Sequence, residues 1–307
     1  MFQKYKFHLL MHLIIFMWGF TGILGKLIHL DAIIIVWYRI LIAVSFLVLF
    51  FLFTKKSFKI EKKYLWKISL IGMIVASHWL TFYYSIQLST ASLGILCLST
   101  TTLHVTWLEP LVMKRRFSWL EFLFSCCVVY GIYFVAGDFS PKEMTALYFG
   151  LLSALCAALF SVFNAKISQK VPSTHITLYE LMVGFIFVSI FLISIGRMNG
   201  AILQMSYSDL GWLLFLGILC TSFAFLVTID IIKRLGTFTV SLSINLEPVY
   251  TILLAIFILK EHELLNSNFY IGAMIIIFVV VLNGMLKHYQ KKKETQKELN
   301  ESIDGIY

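Results

Sequence analysis

Ten apolar runs of close to twenty residues follow one another between residues 8 and 286, joined by short polar connections, and no other feature limits this chain's possible folds as tightly. They fall at about 8–29, 32–53, 67–87, 91–113, 118–137, 146–165, 175–196, 209–232, 237–259 and 268–286. Such a run, wound as an α-helix at 1.5 Å per residue, spans the roughly 30 Å hydrocarbon layer of a bilayer. Barrel strands would be about ten residues long and would alternate apolar with polar positions, which these runs do not. The expected fold class is an all-α integral membrane protein of ten transmembrane helices. Composition agrees: 60% of the residues are hydrophobic and 13% charged, against about 45–50% and about 25% in soluble domains. Ten spans in 307 residues leave no room for a soluble catalytic domain.

The net charge of +9 reads as a topological label rather than a nucleic-acid surface, because the positive residues cluster between the runs. With the N-terminus inside, twenty Lys and Arg residues fall in cytoplasmic segments, notably Lys55 to Lys67, Lys114 to Arg116, Lys166, Lys170, Lys233, Arg234 and Lys287 to Lys297. Only Lys142, Arg197 and Lys260 fall in outer loops, which predicts N-in and C-in. Residues 289–307 gather Glu294, Glu298, Glu301 and Asp304 and read as a solvated cytoplasmic tail. The five cysteines all lie inside apolar runs, without disulfide or metal spacing, and no cofactor is expected. Lys4 and Lys6 precede an apolar run as in a signal peptide, but the run passes Trp18 and Gly22 to Lys26 without a cleavage site and is expected to stay as the first helix.

An internal repeat appears at a spacing of 146 residues: Ala91 to Arg115 lies over Thr237 to Glu261, with Thr102 opposite Pro248 and Lys114 opposite Lys260. The lysine-rich loop Lys55 to Lys67 aligns with a loop whose only acid or base is Asp209, so equivalent loops carry opposite charge bias. Five helices per half is an odd number, so the second half enters the bilayer upside down. The expected domains are a five-helix repeat at 1–138, an inverted five-helix repeat at 139–288 and the tail. Inverted repeats place a substrate site near the midplane between the halves.

Three segments carry a family resemblance: WGFTGILGK (Trp18 to Lys26) followed by WYRILIA (Trp37 to Ala43), GLLSALCAALFSVFNAKISQK (Gly150 to Lys170), and NLEPVYTILLAIFILKE (Asn245 to Glu261). On these the chain resembles the EamA-like branch of the drug/metabolite transporter superfamily over residues 8 to 286. The resemblance implies ten helices in two inverted halves, transport of small metabolites, often export, and a bacterial cytoplasmic membrane.

Polar residues inside spans are costly and usually face a cavity or a partner. In the fourth run Ser92, Ser99, Thr102, Thr106 and Glu109 share one helical stripe, which reads as pathway lining or as hydroxyl-mediated packing. In the third, His78, Thr81 and Ser85 repeat the pattern beside Trp79, Tyr83 and Tyr84; a midplane His can bind substrate or carry a proton. In the ninth, Thr239, Ser243, Glu247 and Tyr250 form a stripe next to Asn245 and Pro248. Pro248 is expected to kink that helix and free the Ile244 carbonyl beside the Glu247 carboxylate, a site for a cation, a proton or an ammonium group. Lys26 and Arg39 stand near the outer ends of the first two helices, positioned to attract a carboxylate or to pair with Asp31. Glu180 aligns with Arg39 through the Tyr38-Arg39 and Tyr179-Glu180 dipeptides and joins Glu247 and His78 as a candidate proton carrier. Trp18, Trp79, Tyr83, Trp107 and Tyr250 are candidate cavity walls.

The expected function is a secondary transporter moving a small metabolite, an amino acid or similar, by alternating access around a midplane cavity. The alternatives are a membrane-embedded transferase and a passive uniporter or pore. Zinc-protease, serine-hydrolase and phosphate-binding-loop motifs are absent from the sequence, as is a filter of repeated charges. The expected partners are a small-molecule substrate and the lipid bilayer, with no nucleic acid, in a monomer or homodimer.

Overall fold

A computed structural model of the chain describes residues 2–114, 116–136, 139–235, 243–244 and 246–304. The described residues are helical, without a strand, and nine helices among them are long and apolar enough to cross a membrane. In chain order they run α1 (Phe2–Leu27), α2 (Ala32–Phe53), α3 (Lys62–Leu88), α4 (Ala91–Leu98), α5 (Thr101–Met113), α6 (Trp119–Ala136), α7 (Pro141–Ile167) and α8 (Ser173–Ser194). After these come α9 (Tyr207–Leu214), a π-helical stretch (Phe215–Phe223), α10 (Ala224–Leu235), α11 (Glu247–Leu259) and α12 (Ser267–Asp304). Together α4 and α5 make one span, Ala91–Met113, and Tyr207–Thr228 makes another. Of the ninth apolar run, only the second half is described in full, as α11.

Local chemistry sets the ends. Ser140 caps α7 in a reciprocal box: its hydroxyl accepts from Glu143 N while Glu143 Oε2 accepts from Ser140 N, with Pro141 following in the first turn. Thr90 accepts from Leu93 N and Ser206 from Asp209 N, capping α4 and α9. At the other end α5 and α11 stop on left-handed lysines, Lys114 at φ 56° and Lys260 at φ 53°. Both helices are 13 residues long and hold positions that the sequence alignment lays opposite each other.

Two elements depart from a simple reading of the runs. The fourth run breaks at Ser99 and Thr100, where Thr100 N and Oγ1 both donate to Cys97 O, at 3.0 and 2.6 Å, and Thr102 Oγ1 donates to Ser99 O. These hydroxyls offer the backbone an alternative to the α-helical ladder, so an apolar run that looks continuous bends there. The polar end of the chain, expected as a solvated tail, is helical in backbone to Asp304 as a continuation of α12.

The bundle centres on α3, which packs along α7 and α8; α6 lies on α12, α1 on α11, and α2 on α8 and the π-helical stretch. Helix association in lipid rests on close van der Waals approach. Helices α3 and α8 approach closely at Gly72 of α3, where an added Cβ would stand 2.5 Å from the backbone oxygen of Glu180 on α8. Gly72→Ala is therefore expected to destabilise the bundle by about 1–3 kcal/mol. Thermal unfolding in detergent would read this as a lowered midpoint, and a wild-type midpoint would show that α3 and α8 tolerate separation.

Candidate functional site

A cavity of about 370 Å³ lies between α1, α2, α3, the broken fourth span, α7, α10, α11 and α12. Its polar wall is formed by Thr21, Arg39, His78, Ser99, Thr101, Thr102, Ser161 and Glu247, and its apolar wall includes Trp18, Trp79, Phe82, Phe160 and Phe225. That volume is within the range of small-molecule sites, about 300–1,000 Å³.

Arg39 is the most constrained of these groups. It is 4% exposed, its Nε donates to Thr221 Oγ1 at 3.0 Å and its Nη1 to the Tyr83 hydroxyl at 3.4 Å. The guanidinium stands 4.0 Å from the centre of the Trp79 ring. The π-helical winding makes this possible: Thr221 Oγ1 donates to Leu216 O five residues back, and Ser222 Oγ reaches across to Ala43 O of α2. Gly217 in the same stretch lies against Ile42 and the Arg39 carbonyl, so α2 and this stretch approach closely. Arg39 forms no ion pair among the described residues. Asp31, its expected partner, pairs with Arg197, because Arg39 sits two turns inside α2 while Asp31 precedes the helix at the bundle's end.

His78 is fixed against α7. Its Nδ1 lies 3.0 Å from Ser153 O and 2.9 Å from Ser153 Oγ, and the Ser153 hydroxyl donates to His78 O. A carbonyl oxygen only accepts, so Nδ1 carries the proton and, in the neutral ring, Nε2 is an acceptor. Phe82 stacks on the imidazole at 6.1 Å.

Glu247 enters from the far side of the chain, in the first turn of α11. The kink expected at Pro248 involves residues 236–242 and 245, which lie outside the described residues. Within the described segment Glu247–Leu259, Pro248 occupies the first turn, where its missing N–H is not needed. Ile244 lines the cavity beside them, while Asn245 lies outside the described residues.

Trp18, Arg39, His78, Trp79, Ser99, Thr102, Glu247 and Pro248 thus meet at one cavity. Six other expected residues do not line it, among them Trp107, which is exposed and packs edge-on against His104. Lys26 donates to Ser89 O at the end of the bundle. Tyr83 is fully buried behind Arg39 and donates to Thr21 O. Thr106 turns to Ser125 of α6, its hydroxyl 3.2 Å away, because the break at Ser99 and Thr100 divides the stripe. Tyr250 meets His12 and packs edge-on against Phe16 between α1 and α11. Glu180 bonds Asn164 away from the cavity. The residues that sequence reasoning missed are chiefly Phe160 and Ser161, which continue a stripe with Ser153, Ala157 and Asn164 along α7; that spacing is legible in the sequence. A larger cavity of about 690 Å³ between α3 and α7 is lined by Tyr64, Trp66, Lys67, Lys166 and Lys170 and holds none of the expected site residues.

Comparison with known proteins matches the model of the EamA-like transporter family to residues 6–137 and again to 144–285. An uncharacterized transporter, YoaV, of Bacillus subtilis (strain 168) is 22% identical over 275 residues, covering 87% of this chain and 92% of that protein. An uncharacterized transporter of Archaeoglobus fulgidus is 25% identical over 297 residues, covering 92% and 99%. A protein of known crystal structure shares the fold at a TM-score of 0.64 and 14% identity, over 92% of this chain and 98% of that one.

Proposed function

Because the chain belongs to the EamA-like transporter family, we propose that this multi-pass membrane protein is a secondary transporter for an amphipathic amino acid or a similar zwitterion, exporting it by alternating access around the 370 Å³ cavity. The observation that carries the substrate class is the pairing of opposite charges on one aromatic-walled cavity. Arg39, without a carboxylate partner among the described residues, offers its guanidinium to a substrate carboxylate, and Glu247 offers a carboxylate to its ammonium group. Trp18, Trp79, Phe82 and Phe160 cover the apolar part.

The same reading has two inverted five-helix halves, 1–138 and 139–288, with both ends cytoplasmic. It is supported by the loop charge bias, by the two separate stretches matched by the family model, and by the equal lengths and left-handed lysine ends of α5 and α11. A cavity that draws on helices from both stretches fits a midplane site.

A thermal-shift screen of the purified full chain against amino acids, nucleosides and sugar phosphates tests the substrate class. Amphipathic amino acids are expected to raise the melting temperature; stabilisation by nucleosides or sugar phosphates alone would sink the reading. Glu247→Gln is expected to weaken binding of the best amino acid by roughly 10-fold, the worth of one charge-assisted hydrogen bond. Its analogue lacking the amine should bind wild type and variant alike, and equal loss for both would remove Glu247 from ammonium recognition.

A further inference from the structure

Asn164 of α7 and Glu180 of α8 meet outside the cavity, where Asn164 Nδ2 donates to Glu180 Oε2 at 3.2 Å. The remaining oxygen of each group, Asn164 Oδ1 and Glu180 Oε1, is buried and has no hydrogen-bond partner. They are two of only four such side-chain atoms among the described residues, and they belong to one contact. If the carboxyl is ionised, both atoms are pure acceptors and neither can satisfy the other. Buried acceptors left unpaired cost about 1–3 kcal/mol each, more when charged, so a pair of them demands an explanation.

Among the residues whose side chains are described, no counter-charge supplies it. On α3, Lys67 lies over the Trp66 ring and His78 bonds Ser153. On α2, Arg39 is held by Thr221, Tyr83 and Trp79, and the Tyr38 hydroxyl donates to Ile202 O. On α7, Lys166 donates to Val112 O. On α8 itself, His175 meets Ser57 O and the Tyr179 hydroxyl donates to Phe58 O. The ionisable residues of α10 are Asp230, Lys233 and Arg234.

We propose that Glu180 and Asn164 form a proton-binding site: Glu180 is a carboxylic acid whose Oε1–H donates to Asn164 Oδ1, while Asn164 Nδ2 donates to Glu180 Oε2. One proton satisfies both orphaned atoms and closes an acid–amide ring between α7 and α8. When the proton passes to a water molecule entering between the helices, a carboxylate is left facing an amide oxygen, and the two helices part. The Glu180 backbone lies against Gly72 of α3, the helix that also carries His78 and Trp79 to the cavity wall. Proton occupancy therefore biases the arrangement of the helices around the cavity. This consequence rests on the transporter reading; the proton site itself does not.

Infrared difference spectroscopy of the purified full chain in detergent at neutral pH tests the site. The wild type is expected to show a protonated-carboxyl carbonyl band that Glu180→Gln loses and Asn164→Leu shifts. Glu180→Gln preserves the ring with an amide in place of the acid, so it is expected to melt as the wild type does at neutral pH. On raising the pH the wild-type melting temperature should fall by several degrees more than that of Glu180→Gln. Identical spectra for wild type and Glu180→Gln would overturn the proton site, and parallel melting profiles would overturn its link to helix packing. Neither readout uses a substrate, so a protein that binds no amino acid yet loses the band in Glu180→Gln would refute the substrate reading and leave the proton site standing.

Discussion

Replacing Arg39 with alanine is expected to lower affinity for a carboxylate-bearing substrate by roughly 10- to 150-fold, the equivalent of about 1.5–3 kcal/mol for a hydrogen bond to a charged group. The expectation follows from how the side chain is held. Arg39 is buried, anchored through Thr221 and Tyr83, and laid over Trp79, so its position is fixed before any ligand arrives. This desolvated cation has no ion-pair partner among the described residues, and on the proposed transporter reading a substrate carboxylate supplies one. Arg39→Lys keeps the charge but loses the planar fork that both bonds Thr221 and stacks on Trp79, so its affinity should be intermediate. Isothermal titration with the best amino acid from the thermal-shift screen measures the effect, with melting curves to separate lost binding from lost fold. Wild-type affinity in a folded Arg39→Ala protein would exclude Arg39 from substrate recognition.

The second large effect is structural. Glu261, 2% exposed, follows α11 and accepts from Ala91 N at 2.7 Å and Ser92 N at 3.0 Å, so it caps α4 from the other end of the sequence. The first turn of a helix presents unsatisfied N–H groups and a partial positive charge, and a buried carboxylate answers both. Glu261→Ala removes two charge-assisted bonds and leaves two buried donors, an expected loss of about 3 kcal/mol. Glu261→Gln keeps an acceptor and should lose less. Denaturant unfolding followed by tryptophan fluorescence would check this; an alanine variant with the wild-type midpoint would mean that other groups cap α4.

What was legible in the sequence depended on how local its physical cause is. Span positions were readable because hydrocarbon thickness fixes the length of an apolar run, and nine of the ten runs coincide with long apolar helices. The break at Ser99 and Thr100 was not, since hydroxyls that back-bond to Ile95, Cys97 and Ser99 look in sequence like hydroxyls that line a pathway. For the same reason Ser99, Thr102 and Thr106 read as one stripe, although the last faces α6. Arg39 read as a helix-end residue able to pair with Asp31, because nothing local announces that Thr221, 182 residues on, receives its Nε. Glu261 stood in the sequence as part of a motif, while its partners at Ala91 and Ser92 exist only once the bundle has folded.

The π-helical stretch Phe215–Phe223 carries a consequence for how such chains diverge. Each residue removed from a helix turns everything beyond it by about 100°. A deletion inside this stretch could be absorbed by a return to α winding, at the cost of the five-residue reach that aims Thr221 at Arg39. A one-residue gap here in an aligned relative would thus mark a chain whose arginine is held differently, and a change of cargo is the first thing to look for in it.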